Sequence, residues 1–374
     1  MYSGYNRKLF YGERGMPKIT IVLPTYNGQQ YIKESIESII NQTFKDWELI
    51  IVNDCSIDNT FMIINEYAKR DSRISIINNE ENKKLPQSLN IGFSYARGKY
   101  YTWTSDDNLY LPDALWKMNQ YLDENLQEVM VCTGYEVINS EGEKLYDSSS
   151  YDKSYMYVRN RVGACFLYRS EVVETIGEYN KNSFLVEDYE YWLRILFKYK
   201  SIGNINENLY LYRIHDKSLS ENRKKDINRQ LLIMRKQYIV QIMECIKHRK
   251  DYLCELYYEF KHAKMLDEEM IKLFMQYVPE IRIDCETVST QRAIVYGAGG
   301  VGKQVYSMYS NIIDYYADKN KYGMYLCGKE IITLQKMKEL SGEYQILVAA
   351  SEKYIYSFLK TLVEYDIHKC VVLV

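Results

Sequence analysis

From Pro17 onward the chain alternates short β-branched runs with segments whose apolar residues recur at helical spacing, a pattern that points to an α/β sheet. Residues 19–23 read as a buried strand, and Ile32, Ile36, Ile39 and Ile40 place one apolar face on the helix that follows. A strand over 47–52, a helix around Phe61, Ile64 and Ala68, and a strand over 74–77 come next. A helix over 89–96, ended by Gly98, leads to a fourth strand over 100–104. Beyond it the alternation loosens. Strands are expected near 129–139, 163–168 and 208–213, with a helix over 188–199. In sheets of this type ligands gather at the carboxyl ends of strands, so the residues just after each strand are where chemistry is to be sought.

Those positions are polar. The first strand ends in Pro24-Thr25-Tyr26-Asn27-Gly28, the second in Asn53-Asp54-Cys55-Ser56-Ile57-Asp58, and the fourth in Ser105-Asp106-Asp107-Asn108. A tyrosine face stacks on a planar base, and a carboxylate in a cleft accepts the imide proton of a uracil. Adjacent acids can divide between a ribose hydroxyl and a hard divalent cation bridging a diphosphate. Singly, each cluster has a plainer reading: Asp54 or Asp58 as a helix cap, 24–28 as a turn, Asp106 and Asp107 as a solvated loop. Their occurrence at successive strand ends favours one nucleotide-diphosphate site.

Charge and cysteine usage narrow the class. With 48 Lys and Arg against 50 Asp and Glu, no global field attracts nucleic acid, and none is expected as a partner. The 8 cysteines form no Cys-x-x-Cys pair, so zinc and thioredoxin-like chemistry are disfavoured and a reducing cytosol fits. Residues 1–16 lack the apolar core of a signal peptide, and no stretch reaches the ~18 apolar residues of a membrane span. The 39 tyrosines imply coding bias or amphipathic packing rather than a function.

The ordered motifs resemble the family 2 glycosyltransferases over about residues 17–220. The resemblance is carried by Val22-Leu23-Pro24-Thr25-Tyr26-Asn27, Ser38-Ile39-Ile40-Asn41-Gln42-Thr43-Phe44 and Glu48-Leu49-Ile50-Ile51-Val52-Asn53-Asp54-Cys55-Ser56. Asn53 stands where the family often has a further acid, and Cys55 where it often has glycine. The resemblance implies a GT-A fold, α/β with a mostly parallel mixed sheet, and inverting transfer from a nucleotide sugar, most often a UDP-sugar. Pro24, Tyr26, Asp54 and Asp106 would bind the donor nucleotide, with Asp106 on the ribose. Asp107 would hold Mn²⁺ or Mg²⁺. Glu187-Asp188-Tyr189-Glu190-Tyr191-Trp192 looks like the family's acidic motif, with Asp188 as catalytic base and Glu187 beside it. The plainer alternative is that both acids only complement the helix dipole. His215, in Tyr212-Arg213-Ile214-His215, would complete the metal sphere or meet the diphosphate with Arg213 nearby, and Lys84 falls in the region lining the pocket. The acceptor implied is a glycan or lipid-linked saccharide of surface polysaccharide synthesis, built in the cytoplasm or at the inner face of the membrane.

Two further segments stand outside that resemblance. Residues 222–250 carry nine Lys and Arg against two acids, with Leu231, Met234, Tyr238, Ile242 and Cys245 at helical spacing. This reads as one basic amphipathic helix that packs on the preceding domain or, alternatively, touches an anionic membrane. The final stretch restarts a strand over 293–296, followed by Gly297-Ala298-Gly299-Gly300-Val301-Gly302 and, later, Asp318. That spacing resembles a dinucleotide-binding turn with an acid for a ribose. It is also what tight strand-to-helix packing needs. The expected organisation is therefore a polar extension (1–16), a glycosyltransferase domain (17–220), a helical connector (221–291) and a small Rossmann-like domain (292–374). Rival readings are an NAD(P)-dependent sugar-nucleotide-modifying enzyme using Gly297, Gly299, Gly300, Gly302 and Asp318, and a non-catalytic nucleotide-sugar-binding module.

Overall fold

The computed structural model describes residues 15–148, 154–283 and 287–373; most of the expected 1–16 extension lies outside them. The chain forms two compact units, divided between Ile239 and Val240.

In the first unit β1 (Ile19–Thr25), β2 (Trp47–Asn53), β3 (Ile74–Asn78) and β4 (Tyr100–Trp103) run parallel in the order β3-β2-β1-β4. The crossovers carry α1 (Ile32–Ile40), α2 (Thr60–Arg70) and α3 (Leu85–Ser94). β1 and β2 are buried at every position, which is why their sequences are continuous apolar runs and do not alternate. Ile21, Leu23, Ile36, Leu49 and Ile51 share one core. The third helix starts earlier than the apolar spacing suggests because Pro86 sits in its first turn, where a missing N–H costs nothing.

The looser second half completes a mixed sheet. Its elements are β5 (Leu109–Tyr110), α4 (Ala114–Glu124), β6 (Met130–Ile138), β7 (Lys144–Asp147), β8 (Phe166–Arg169), α5 (Glu171–Ile176), α6 (Glu187–Tyr199) and β9 (Gly203–Arg213). The order continues β4-β8-β6-β9-β5, with β7 on β6, and only the β6–β9 pair is parallel. Many of the tyrosines serve this half as amphipathic core. The rings of Tyr179 and Tyr191 stack at 4.1 Å, and Trp103 Nε1 donates to the Tyr179 hydroxyl at 3.0 Å. Trp192 packs edge-on against Phe166 at 4.5 Å. This aromatic cluster pins the first turns of α6.

Residues 222–250 do not form one helix. After α7 (Leu219–Asn222) and α8 (Lys224–Gln237), Tyr238 leaves helical geometry, and α9 (Ile239–Ile246) begins beyond it. The Tyr238 hydroxyl donates to Glu190 of α6 at 2.6 Å, which ties the break to the first unit. The region expected as a connector is thus shared between the two units.

The second unit comprises α10 (Lys250–His262), α11 (Glu268–Tyr277), β10 (Ala293–Tyr296), α12 (Gly300–Tyr309), β11 (Ile313–Ala317), β12 (Tyr325–Leu326), β13 (Lys329–Ile332), α13 (Leu334–Leu340), β14 (Gln345–Ala349), α14 (Glu352–Glu364) and β15 (Val371–Leu373). Its sheet runs β12-β13-β11-β10-β14-β15 and is parallel except at β12. α10 packs on α14, so it belongs with this sheet. No helix among the described residues is long and apolar enough to cross a membrane.

Candidate active site

The carboxyl ends of β1, β2 and β4 open on a cavity of about 900 Å³ lined by Pro24, Tyr26, Asp54, Lys84, Asp106, Asp107 and His215. The parallel register aligns these ends, Thr25 pairing with Asn53, so residues far apart in sequence meet. Tyr26 is 50% exposed, leaving its ring available for stacking.

Asp54 is only 4% exposed and spends most of its acceptors within the protein. Its Oδ1 accepts from Asn79 Nδ2 at 2.8 Å and from the Lys83 N–H at 2.8 Å, and its Oδ2 from the Lys84 N–H at 3.0 Å. These bonds hold Lys84 at φ +68°, where a side chain is strained. Lys84 thus lines the cavity with its backbone N–H held by Asp54. Asn79 and Lys83 escaped the sequence reading because the loop after β3 carries no recognisable pattern. Asp58 proves to be a turn residue: its Oδ1 accepts from the Thr60 N–H at 3.0 Å.

Asp106 accepts a hydrogen bond from the Thr25 hydroxyl, a contact that links the first and fourth strand ends. Burial and then the neighbouring charge of Asp107 push its pKa up. Asp107 Oδ2 lies 3.1 Å from His215 Nε2, while the buried Oδ1 has no hydrogen-bond partner. A buried carboxylate oxygen without a donor is costly unless a cation meets it. His215 Nδ1 accepts the Lys217 N–H at 3.2 Å, which places the ring proton on Nε2, donating to Asp107. Ligation through Nε2 would require the proton on Nδ1 and release of Lys217. Among the described residues no cluster of three or more His, Cys, Asp or Glu forms a closed metal site. One carboxylate with an imidazole beside it nevertheless suits a cation whose other ligands are diphosphate oxygens and water.

Arg213 is not in the cavity. It is 3% exposed and underpins the loop: its Nε donates to the Asp107 carbonyl at 3.1 Å, and its N–H to Asn108 Oδ1 at 2.8 Å. Its guanidinium pairs with Glu34 at 2.6 Å and lies over the Tyr31 ring.

A second chamber, of about 270 Å³, shares Leu85, Ser105 and Leu219 with the first and is lined by Glu187 and Asp188 at the start of α6. Asp188 accepts from Asn160 Nδ2 at 2.9 Å and from the Tyr189 N–H at 2.6 Å. Asn160 stands in a segment without periodicity, so no local signal marks it. Burial raises the pKa of Asp188. It raises that of Glu187 too, with the Asp188 charge adding to the effect. Glu187 is 5% exposed and no donor meets its Oε2, whereas both oxygens of Asp188 accept hydrogen bonds, so the neutral form is favoured at Glu187 and the charged form at Asp188.

In the second unit the glycine-rich turn follows β10 as the spacing predicts. A Cβ at Gly302 would lie 2.2 Å from the Gly297 carbonyl, so this glycine is needed for strand-to-helix packing. Asp318 Oδ2 accepts from the Ala298 N–H at 3.1 Å, and Lys321 Nζ donates to the Ala298 carbonyl at 2.9 Å. Gly299 and Gly300 face open space.

A half-parallel, half-mixed sheet with acids converging on one nucleotide-sized cavity defines a GT-A-type glycosyltransferase. The profile of glycosyl transferase family 2 matches residues 20–177. An uncharacterized glycosyltransferase of Methanocaldococcus jannaschii, MJ1057, is 31% identical over 227 residues, covering 58% of this chain and 78% of the relative. A Bacillus subtilis protein named for teichuronic acid biosynthesis, TuaG, is 29% identical over 215 residues, covering 56% of this chain and 84% of its own. The chain belongs to glycosyl transferase family 2. The fold is similar to that of S. aureus TarS, residues 1–349, solved in complex with UDP-GlcNAc: the TM-score is 0.54 at 17% identity, covering 79% of this chain and 88% of that one.

Proposed function

We propose that this glycosyltransferase moves a sugar from a UDP-linked donor to a hydroxyl of a surface glycan or lipid-linked saccharide, with inversion. The observation that carries the reading is the Asp188 chamber, joined through Leu85, Ser105 and Leu219 to the cavity lined by Tyr26, Asp54 and Asp106. Tyr26 would stack on the base, Asp54 would fix the loop over it and accept from the imide with its remaining lone pair, and Asp106 would meet the ribose. The fixed nucleotide then orients the sugar, so that binding energy remote from the reacting bond lowers the barrier.

Asp188 accepts the proton of the acceptor hydroxyl as its oxygen bonds to the anomeric carbon and the bond to the diphosphate breaks. A base that activates the acceptor hydroxyl directly gives a single displacement, hence inversion. Glu187, protonated, keeps a second negative charge out of the chamber. Asp107 would hold a divalent cation, Mn²⁺ or Mg²⁺, with His215 joining once its proton moves to Nδ1. Such an ion supplies neutralising charge for the departing diphosphate. The likeness to TuaG, named for teichuronic acid biosynthesis, supports a glycan as acceptor.

A panel of nucleotide sugars scored by released nucleoside diphosphate tests the reading. Asp188→Asn is expected to slow transfer by roughly 10²- to 10⁴-fold, the usual contribution of a general base, with UDP affinity little changed. Near-normal turnover in that variant would remove Asp188 as the base.

A further inference from the structure

Three cavities of the first unit adjoin one another through shared lining residues. Beyond the Asp188 chamber lies a third, of about 340 Å³, which shares Tyr135, Asn160 and Gly163 with that chamber. If the donor fills the first cavity and the reacting hydroxyl lies beside Asp188 in the second, the third is the continuation open to the rest of an acceptor.

Its lining is rich in amides: Asn204, Asn206 and Asn208 of β9, together with Asn160. An amide offers both donors and an acceptor, which matches the paired hydroxyls of a pyranose. The sheet is irregular at this point. Ile205 pairs with Thr133 but Asn208 with the adjacent Gly134, so Asn206 and Glu207 bulge from the ladder. Bulges beside active sites re-aim side chains. Two glycines make the room: a Cβ at Gly134 would fall 2.4 Å from Asn208 Oδ1, and one at Gly163 would fall 2.5 Å from the Tyr135 ring. Asn208 Nδ2 donates to Asp147 at 2.6 Å with its carbonyl oxygen over Gly134, and Glu207 is paired with Lys117. Asn206 is exposed, and among the described residues its amide has no hydrogen-bond partner.

We infer that this third cavity is an acceptor subsite that binds the sugar next to the one being glycosylated, through the amides of Asn204, Asn206 and Asn208. It rests on the reading of Asp188 as base and makes the acceptor an oligosaccharide of at least two residues. Asn160 joins the two sites, since the amide that holds Asp188 also lines the subsite.

The test uses the full chain with saturating UDP and, as probes, glucose, galactose and N-acetylglucosamine disaccharides in both anomeric linkages beside the matching monosaccharides. Binding is read by saturation-transfer NMR. At least one disaccharide is expected to bind roughly tenfold tighter than its monosaccharide, as a few net hydrogen bonds allow. The double variant Asn204→Ala/Asn206→Ala should lose that preference, with monosaccharide and UDP affinities unchanged. A preference that survives in the double variant, or equal binding of the two probe lengths across the panel, overturns the subsite while leaving the donor site standing. Absence of UDP binding in the unaltered chain overturns the donor reading and the subsite with it.

Discussion

Replacing Asp54 with asparagine keeps the side chain's shape and removes its charge, and the hydrogen bonds around it define the cost. The carboxylate receives Asn79 Nδ2 and the Lys83 N–H on one oxygen and the Lys84 N–H on the other. An asparagine has one oxygen and one NH₂ group. With its oxygen toward Lys83, the NH₂ faces the Lys84 N–H; flipped, it faces two donors. At least one donor is left opposing another donor in a buried site, where a bond to a charged acceptor contributed about 1.5–3 kcal/mol. For a unit of this size that corresponds to a fall in Tm of roughly 3–12 °C. The Lys84 backbone, at φ +68°, loses the contact that holds it there, and the loop lining the nucleotide cavity loosens with it. UDP affinity should therefore fall by about tenfold or more, equivalent to ~1.4 kcal/mol. Calorimetric unfolding and isothermal titration with UDP on the same preparations check both numbers. Unchanged Tm and unchanged UDP affinity would refute the reasoning; a lower Tm with intact UDP binding would reduce Asp54 to a loop anchor.

The remaining predictions concern proton, cation and packing. Glu187, with its folded pKa raised by burial and by Asp188, stabilises the protein fully below its ordinary value of about 4.3, and that contribution is lost as pH rises through the raised folded value. Thermal melts from acidic to mildly alkaline pH should thus show Glu187→Gln losing less stability on the alkaline side than the unaltered chain, with transfer at neutral pH largely kept. Chelation, or Asp107→Ala, should abolish transfer and weaken UDP binding; equal rates in chelator and in Mn²⁺ or Mg²⁺ would contradict the cation's assignment. Gly302→Ala forces a methyl onto the Gly297 carbonyl and should destabilise the second unit by about 1–3 kcal/mol, visible as a lowered unfolding transition.

Much of the candidate site was legible because ligand-facing residues of parallel sheets follow strand ends, and strand ends are marked by where apolar runs stop. Tyr26, Asp54, Asp106 and Asp107 all come from such positions, and Asp188 from the start of a strongly amphipathic helix. Arg213 was misleading for the same reason. It also ends a strand, yet its side chain turns into the interior to hold Asp107, Ser140 and Glu34, and only packing could reveal that direction. Helical spacing persists across Tyr238, so nothing local marks the break in the basic segment, which a tertiary hydrogen bond to Glu190 accompanies.

Local pattern alone determined the α/β class, the acidic positions and the glycine turn, since periodicity and strand-end chemistry are properties of neighbouring residues. Tertiary structure decided which atoms those acids face: Asp54 on the loop after β3, His215 as a donor to Asp107, Asn160 on Asp188, and a bulged β9 lining a cavity beside it. Each of these joins residues far apart in the sequence, and the direction of a side chain there follows from packing that no local window of sequence encodes.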